Sequence, residues 1–125
     1  MPRAATGVPK PLAVSAVLKF DDVPIPAKFT LRAEQSFAFQ NEDVRVGMLR
    51  YAGHADSQQV VAFFREQMPV FQWTLANAIE AEPSVLNFEK AGQSCIILVH
   101  RRGGRTELAI DVAPKPSRPR KLELH

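Results

Sequence analysis

The residues able to do chemistry in this chain are few and do not converge. Histidine occurs at His54, His100 and His125, and cysteine once, at Cys95. A metal centre needs several thiolate, imidazole or carboxylate ligands at short range, with spacings such as H-x-x-x-H or C-x-x-C. Neither spacing occurs, so no metal and no cofactor are expected. Nucleophilic catalysis needs a serine or cysteine beside a base. Ser57, Ser84 and Ser94 lack a nucleophile-elbow context. Cys95 lies in the apolar run SCIILV, where a free thiol behaves as a small hydrophobe. His54 and Asp56 could act as base and orienter, but Asp56 is better placed to cap a helix. No helix follows Gly103 and Gly104 to turn them into a phosphate-binding loop. The chain is therefore expected not to be an enzyme.

Two groups of residues point to binding instead. Residues 1–100 hold 9 Lys/Arg against 10 Asp/Glu, whereas residues 101–125 hold 7 against 3. The basic excess consists of Arg101, Arg102 and Arg105 in one turn, followed by Lys115, Arg118, Arg120 and Lys121. Such a cluster suits RNA, anionic lipid or an acidic protein surface. A solvated hairpin tip and tail is the plainer account of the same residues. Tyr51 and Trp73 are the only aromatics with a polar handle, and neither lies in an RNA-binding signature. At the other end, Leu12, Val14, Val17, Leu18 and Phe20 make more apolar surface than a free tail should show. They are expected to lie on a partner.

The elements that would position these groups follow from periodicity. Asp56 and Gln59 have the spacing of a capping box. Val60, Phe63, Phe64 and Met68 then share one helical face, and Pro69 stops the helix. Strands are expected at 36–40, 44–52, 73–79, 85–90, 95–99 and 108–112, from alternating apolar residues between turn signals. Within them, Trp73, Leu75 and Ile79 are expected to alternate onto one face. Residues 44–52 carry apolar side chains on both faces, as if covered on both sides. Paired glycines in RRGGR mark a tight hairpin. The predicted order is β-β-α-β-β-β-β, an α+β fold with an antiparallel sheet of about six strands and one helix across it. Prolines set the boundaries: an extended arm at 1–28, a body at 29–113 and a basic tail at 114–125.

From Val23 to Val112 the chain resembles a family of small uncharacterised bacterial proteins, many of them assigned as lipoproteins. The likeness rests on VPIP at 23–26, VRVGMLRYAG at 44–53, VVAFFREQMP at 60–69, WTL at 73–75, LNFEK at 86–90 and SCIIL at 94–98. Gln72 departs from the family pattern, which tends to have glycine before the tryptophan. The layout is also similar to helix-grip domains of outer-membrane assembly lipoproteins. The resemblance implies a helix-grip-like fold and a place in the cell envelope, and it carries no established activity.

No stretch approaches the roughly 20 apolar residues that span a bilayer. Residues 11–20 are too short for a signal sequence and run into Asp21 and Asp22, and no lipid-attachment cysteine is seen near the start. The expected location is the cytoplasm, or its membrane surface. The expected function is a non-catalytic interaction module, an accessory or structural subunit that docks protein partners of a larger assembly through its terminal arms. The alternatives are a domain for a small apolar ligand and a binder of nucleic acid or anionic surfaces through the C-terminal arginines.

Overall fold

The computed structural model describes residues 11–115. Arg118, Arg120 and Lys121 of the expected binding tail lie outside that range. Among the described residues the fold is α+β: one helix, α1 (Ser57–Gln67), packs on a seven-stranded antiparallel sheet. In chain order the strands are β1 (Thr30–Leu31), β2 (Phe37–Gln40), β3 (Arg45–Gly53), β4 (Thr74–Ile79), β5 (Ser84–Lys90), β6 (Gln93–Arg102) and β7 (Arg105–Pro114). The expected count of about six is corrected to seven, in the order β-β-β-α-β-β-β-β. The added strand, β1, has only two residues and no alternation to reveal it.

Across the sheet the order is β1-β3-β7-β6-β5-β4, with β2 beside β3. β1 and β2 pair with opposite ends of β3, and a 3-10 turn at Ala33–Gln35 separates them. The last strand, β7, runs through the middle, between β3 and β6.

Local chemistry explains the helix. The Asp56 N–H donates to Gln59 Oε1 at 3.2 Å, and the reciprocal side-chain contact completes the capping box. Val60, Phe63, Phe64 and Met68 are buried under the sheet-facing side, with Phe63 and Phe64 edge to face. Pro69 ends α1 in a 3-10 turn, Met68–Phe71, and the chain leaves through Gln72 at φ 78°. That left-handed position favours glycine.

Strand parity sets the rest of the core. Leu49 and Tyr51, Leu86 and Phe88, Cys95, Ile97 and Val99, and Leu108, Ile110 and Val112 all face the helix and are buried. A register shift between Leu75 and Asn77 interrupts β4. Leu75 and Ala78 therefore face inward, while Ile79 is 62% exposed. The regular alternation of Trp73, Leu75 and Ile79 expected from the sequence is corrected by that bulge.

The segment expected to be an arm enters the core. Phe20, Val23 and Ile25 are buried, and Leu12, Val14 and Leu18 pack against them. Ser15 N–H donates to the Ile25 carbonyl and Ala27 N–H to the Ala13 carbonyl, each at 2.7 Å, so residues 13–27 fold back as a flap. Gly47 permits this seat, because a Cβ there would stand 2.6 Å from the Phe20 ring. The packed body thus reaches well upstream of Phe29.

Candidate functional site

Two constellations stand out, one polar and one apolar. The polar one locks the flap. Arg45 Nη1 and Nη2 hold the two Asp22 carboxylate oxygens at 2.6 and 3.1 Å, and Lys90 Nζ donates to Oδ2 at 2.6 Å. Arg45 Nε donates to Gln93 Oε1 at 2.8 Å, and Lys90 Nζ also reaches the Phe71 carbonyl at 2.7 Å. Trp73 Nε1 donates to the Asp22 backbone carbonyl at 2.8 Å, beneath both cations. Desolvation opposes ionisation of Asp22, but hydrogen bonds and charge from Arg45 and Lys90 outweigh it and hold the carboxyl below its usual range. The lock ties residue 22 to residue 90, and its polar groups are mutually satisfied. It is a structural clamp.

The apolar constellation lies on the opposite face of the sheet. The helix covers the Leu49 and Tyr51 side of β3; on the other side Ala52 is buried but Met48 is exposed, so the expectation that this strand is covered on both sides is corrected for its first half. On the uncovered side, Phe37 stands across from Met48, and Phe39 from Val46. Phe37 and Phe39 are 51% and 52% exposed, with Met48 and Ile96 at 40%. Met48, Asp111 and Ile96 lie in register on β3, β7 and β6. The charges beside them are paired: Arg50 with Asp111 at 3.1 Å, and Lys115 with Glu89 at 3.0 Å. The result is an apolar patch on β2 and β3, with the Arg50–Asp111 pair standing between it and Ile96.

The residues singled out from sequence take mixed positions. Of the apolar arm, Leu12, Val14 and Leu18 are half-buried and Phe20 is buried, so they do not form a free docking surface. Val17 alone is fully displayed, at 82%. Arg101, Arg102 and Arg105 form an exposed tip on the β6–β7 hairpin. Glu107 Oε2 lies 3.9 Å from Arg102 Nε and 3.7 Å from Arg105 Nη2. The Glu82 carboxylate accepts the Arg101 backbone N–H at 2.9 Å. Lys115 lies at the other end of β7, roughly 30 Å away at about 3.4 Å per residue. Lys115 therefore shares no surface with Arg101, Arg102 and Arg105, and Arg118, Arg120 and Lys121 lie outside the described residues.

The remaining chemical candidates have structural duties. Asp56 caps α1, and His54 Nδ1 lies 3.3 Å from the Gly104 carbonyl. His100 Nδ1 is 2.7 Å from Glu82 Oε2, without hydrogen-bond geometry. Ser84 Oγ donates to the Ala81 carbonyl at 2.7 Å. Cys95 is fully buried; burial first, and then the Asp22 charge, push its thiol up to about 12. Among the described residues no cluster of His, Cys, Asp and Glu could hold a metal, and no helix is long and apolar enough to cross a membrane. Phe64, Met68, Leu86 and Phe88 fill the space between helix and sheet.

Sequence reasoning missed the clamp, although one signal was present. Continuing the inward parity of Leu86 and Phe88 puts Lys90 inside, where a cation requires an anion. In comparisons with known proteins, no family model, no curated protein and no solved structure matches the chain.

Proposed function

We propose that the protein is a non-catalytic interaction module that docks protein partners through the uncovered face of its sheet. The observation that carries this reading is the register of Phe37 with Met48 and of Phe39 with Val46, with Ile96 exposed on the same face beyond Asp111. Side chains that alternate onto a solvent face are ordinarily polar, and contiguous apolar patches mark interaction sites. The occupied roles of Asp56, Ser84 and Cys95 fit a module without catalytic chemistry. Of the terminal arms envisaged as the docking surface, the N-terminal one gives way here to the sheet face, because residues 12–25 pack on the protein's own core, while the C-terminal one from residue 116 on lies beyond the described residues.

The test is a Met48→Lys/Ile96→Lys variant compared with wild type on a sizing column, from native lysate and after purification. Both side chains are partly exposed, so the variant should keep its far-UV circular dichroism and thermal midpoint. Wild type in lysate should travel in a species larger than the monomer, and the variant should leave it. Equal migration of the two folded proteins would defeat the reading.

A further inference from the structure

The strand at the margin of this face has an unusual composition. β2 pairs with β3 on one side only, and all four of its residues are exposed. Among the described residues, no backbone hydrogen bond joins Phe37–Gln40 to anything other than β3. Sheets ordinarily blunt such an edge with a charge, a proline or a bulge. The opposite edge, β4, has a bulge between Leu75 and Asn77. β2 has none of these devices. Residues 35–41 read QSFAFQN, seven uncharged residues nearly symmetric about Ala38.

We infer that β2 pairs antiparallel with β2 of a second copy of this chain, on a two-fold axis through Ala38; the inference rests on the reading of this face as an interaction surface. Antiparallel self-pairing centred on Ala38 sets Phe37 opposite Phe39 of the other copy, and the reverse. Since both rings lie on the uncovered face, four of them meet at the seam. Ser36 then faces Gln40 and Gln35 faces Asn41, so no charges oppose one another within residues 35–41, and Glu34 and Glu42, next in register, lie outside the strand. An isologous contact requires this self-complementarity, and an arbitrary partner strand does not. The unpaired N–H and C=O groups of the edge complete their ladder across the axis.

Area sets the strength. A phenylalanine presents about 200 Å², so four half-exposed rings contribute about 400 Å². Flanking Val44 and Met48 and the main chain raise the total to roughly 600–800 Å², below the roughly 1,200 Å² of a stable interface. The pairing is therefore a weak, concentration-dependent equilibrium.

Directly opposed residues in an antiparallel pair have Cα atoms about 4.5–5.5 Å apart, inside the range a disulfide spans. Ala38→Cys should consequently cross-link to itself under mild oxidation. The buried Cys95 leaves the readout clean. At about 100 μM, A38C should form a reducible dimer at least about tenfold faster than Thr74→Cys, which places a thiol on the bulged edge. Adding Phe37→Lys and Phe39→Lys to A38C should return the rate to that of T74C, with circular dichroism confirming the fold of each variant. Wild type should also rise in weight-average mass during sedimentation from about 10 μM to 1 mM. A wild type that stays monomeric, with A38C no faster than T74C, overturns the inference. So does a dimer that cross-links through neither strand, although the uncovered face would then still stand as an interaction surface.

Discussion

Replacing Asp22 with asparagine keeps the size of the side chain and removes the one charge that holds the flap. Arg45 and Lys90 would then face each other without an anion, their side chains 12% and 19% exposed. Removing one partner of a buried pair costs about 3–5 kcal/mol, while an exposed pair is worth about 0–1. Asp22 is 24% exposed, closer to the buried limit, and the amide retains part of the hydrogen bonding. The expected loss is about 2–3 kcal/mol at pH 7. The assay is urea unfolding of wild type and D22N followed by tryptophan fluorescence, since Trp73 lies against the clamp. The pH dependence supplies the sign. The folded carboxyl titrates below its unfolded value of 3.8, so its contribution is full above that value and is lost as pH falls through the folded pKa. The gap between wild type and variant should therefore be constant near neutrality and close in strong acid. A loss under about 1 kcal/mol at pH 7, or a gap that does not close, would refute the clamp.

Other expectations can be checked with the same methods. Phe64→Ala removes a fully buried ring and should destabilise by about 3–5 kcal/mol; less than about 1 would mean the helix packs through another face. Gln72→Gly relieves a left-handed residue worth about 1–2 kcal/mol, against about 0.5–1 of added chain entropy, so it should stabilise by about 0.5–1. Cys95 should resist an aromatic disulfide reagent at pH 8 in wild type and react measurably faster in D22N, where the flap is released; equal rates would separate the thiol from the flap. Deleting residues 1–27 removes Phe20, Val23 and Ile25, each worth about 1.5–3 kcal/mol of burial, and should leave the remainder unfolded or loosely packed by amide chemical-shift dispersion.

What the sequence reveals here depends on how local the cause is. Asp56, Gln59 and Pro69 mark the helix because caps and stops act within one turn. The glycines of the β6–β7 hairpin announce their turn for the same reason. Nothing local shows that Phe20, Val23 and Ile25 belong inside, since their prolines read as an extended lead-in and their partners lie across the fold. The clamp is similarly hidden: Asp22, Arg45 and Lys90 are far apart in sequence and ordinary by type. The uncovered face was half visible. Phe37 and Phe39 alternate correctly for a strand, but alternation cannot say which face a single helix leaves bare.

The place of β7 has a consequence for how the protein comes into being. A ribosome releases β1 to β3 early and β4 to β6 later, yet these two groups are joined in the sheet only through β7, which follows both in the chain. Gly47 waits for Val112, and Cys95 waits for the same residue from the other side. Until residues 105–114 emerge, the nascent chain exposes two open strand margins facing a gap, each lined by apolar residues that the finished protein buries. The vulnerable interval is thus the one before β7 emerges. A chain that ended just before β7 would leave the facing margins of β3 and β6 unpaired and able to pair with those of a neighbouring chain.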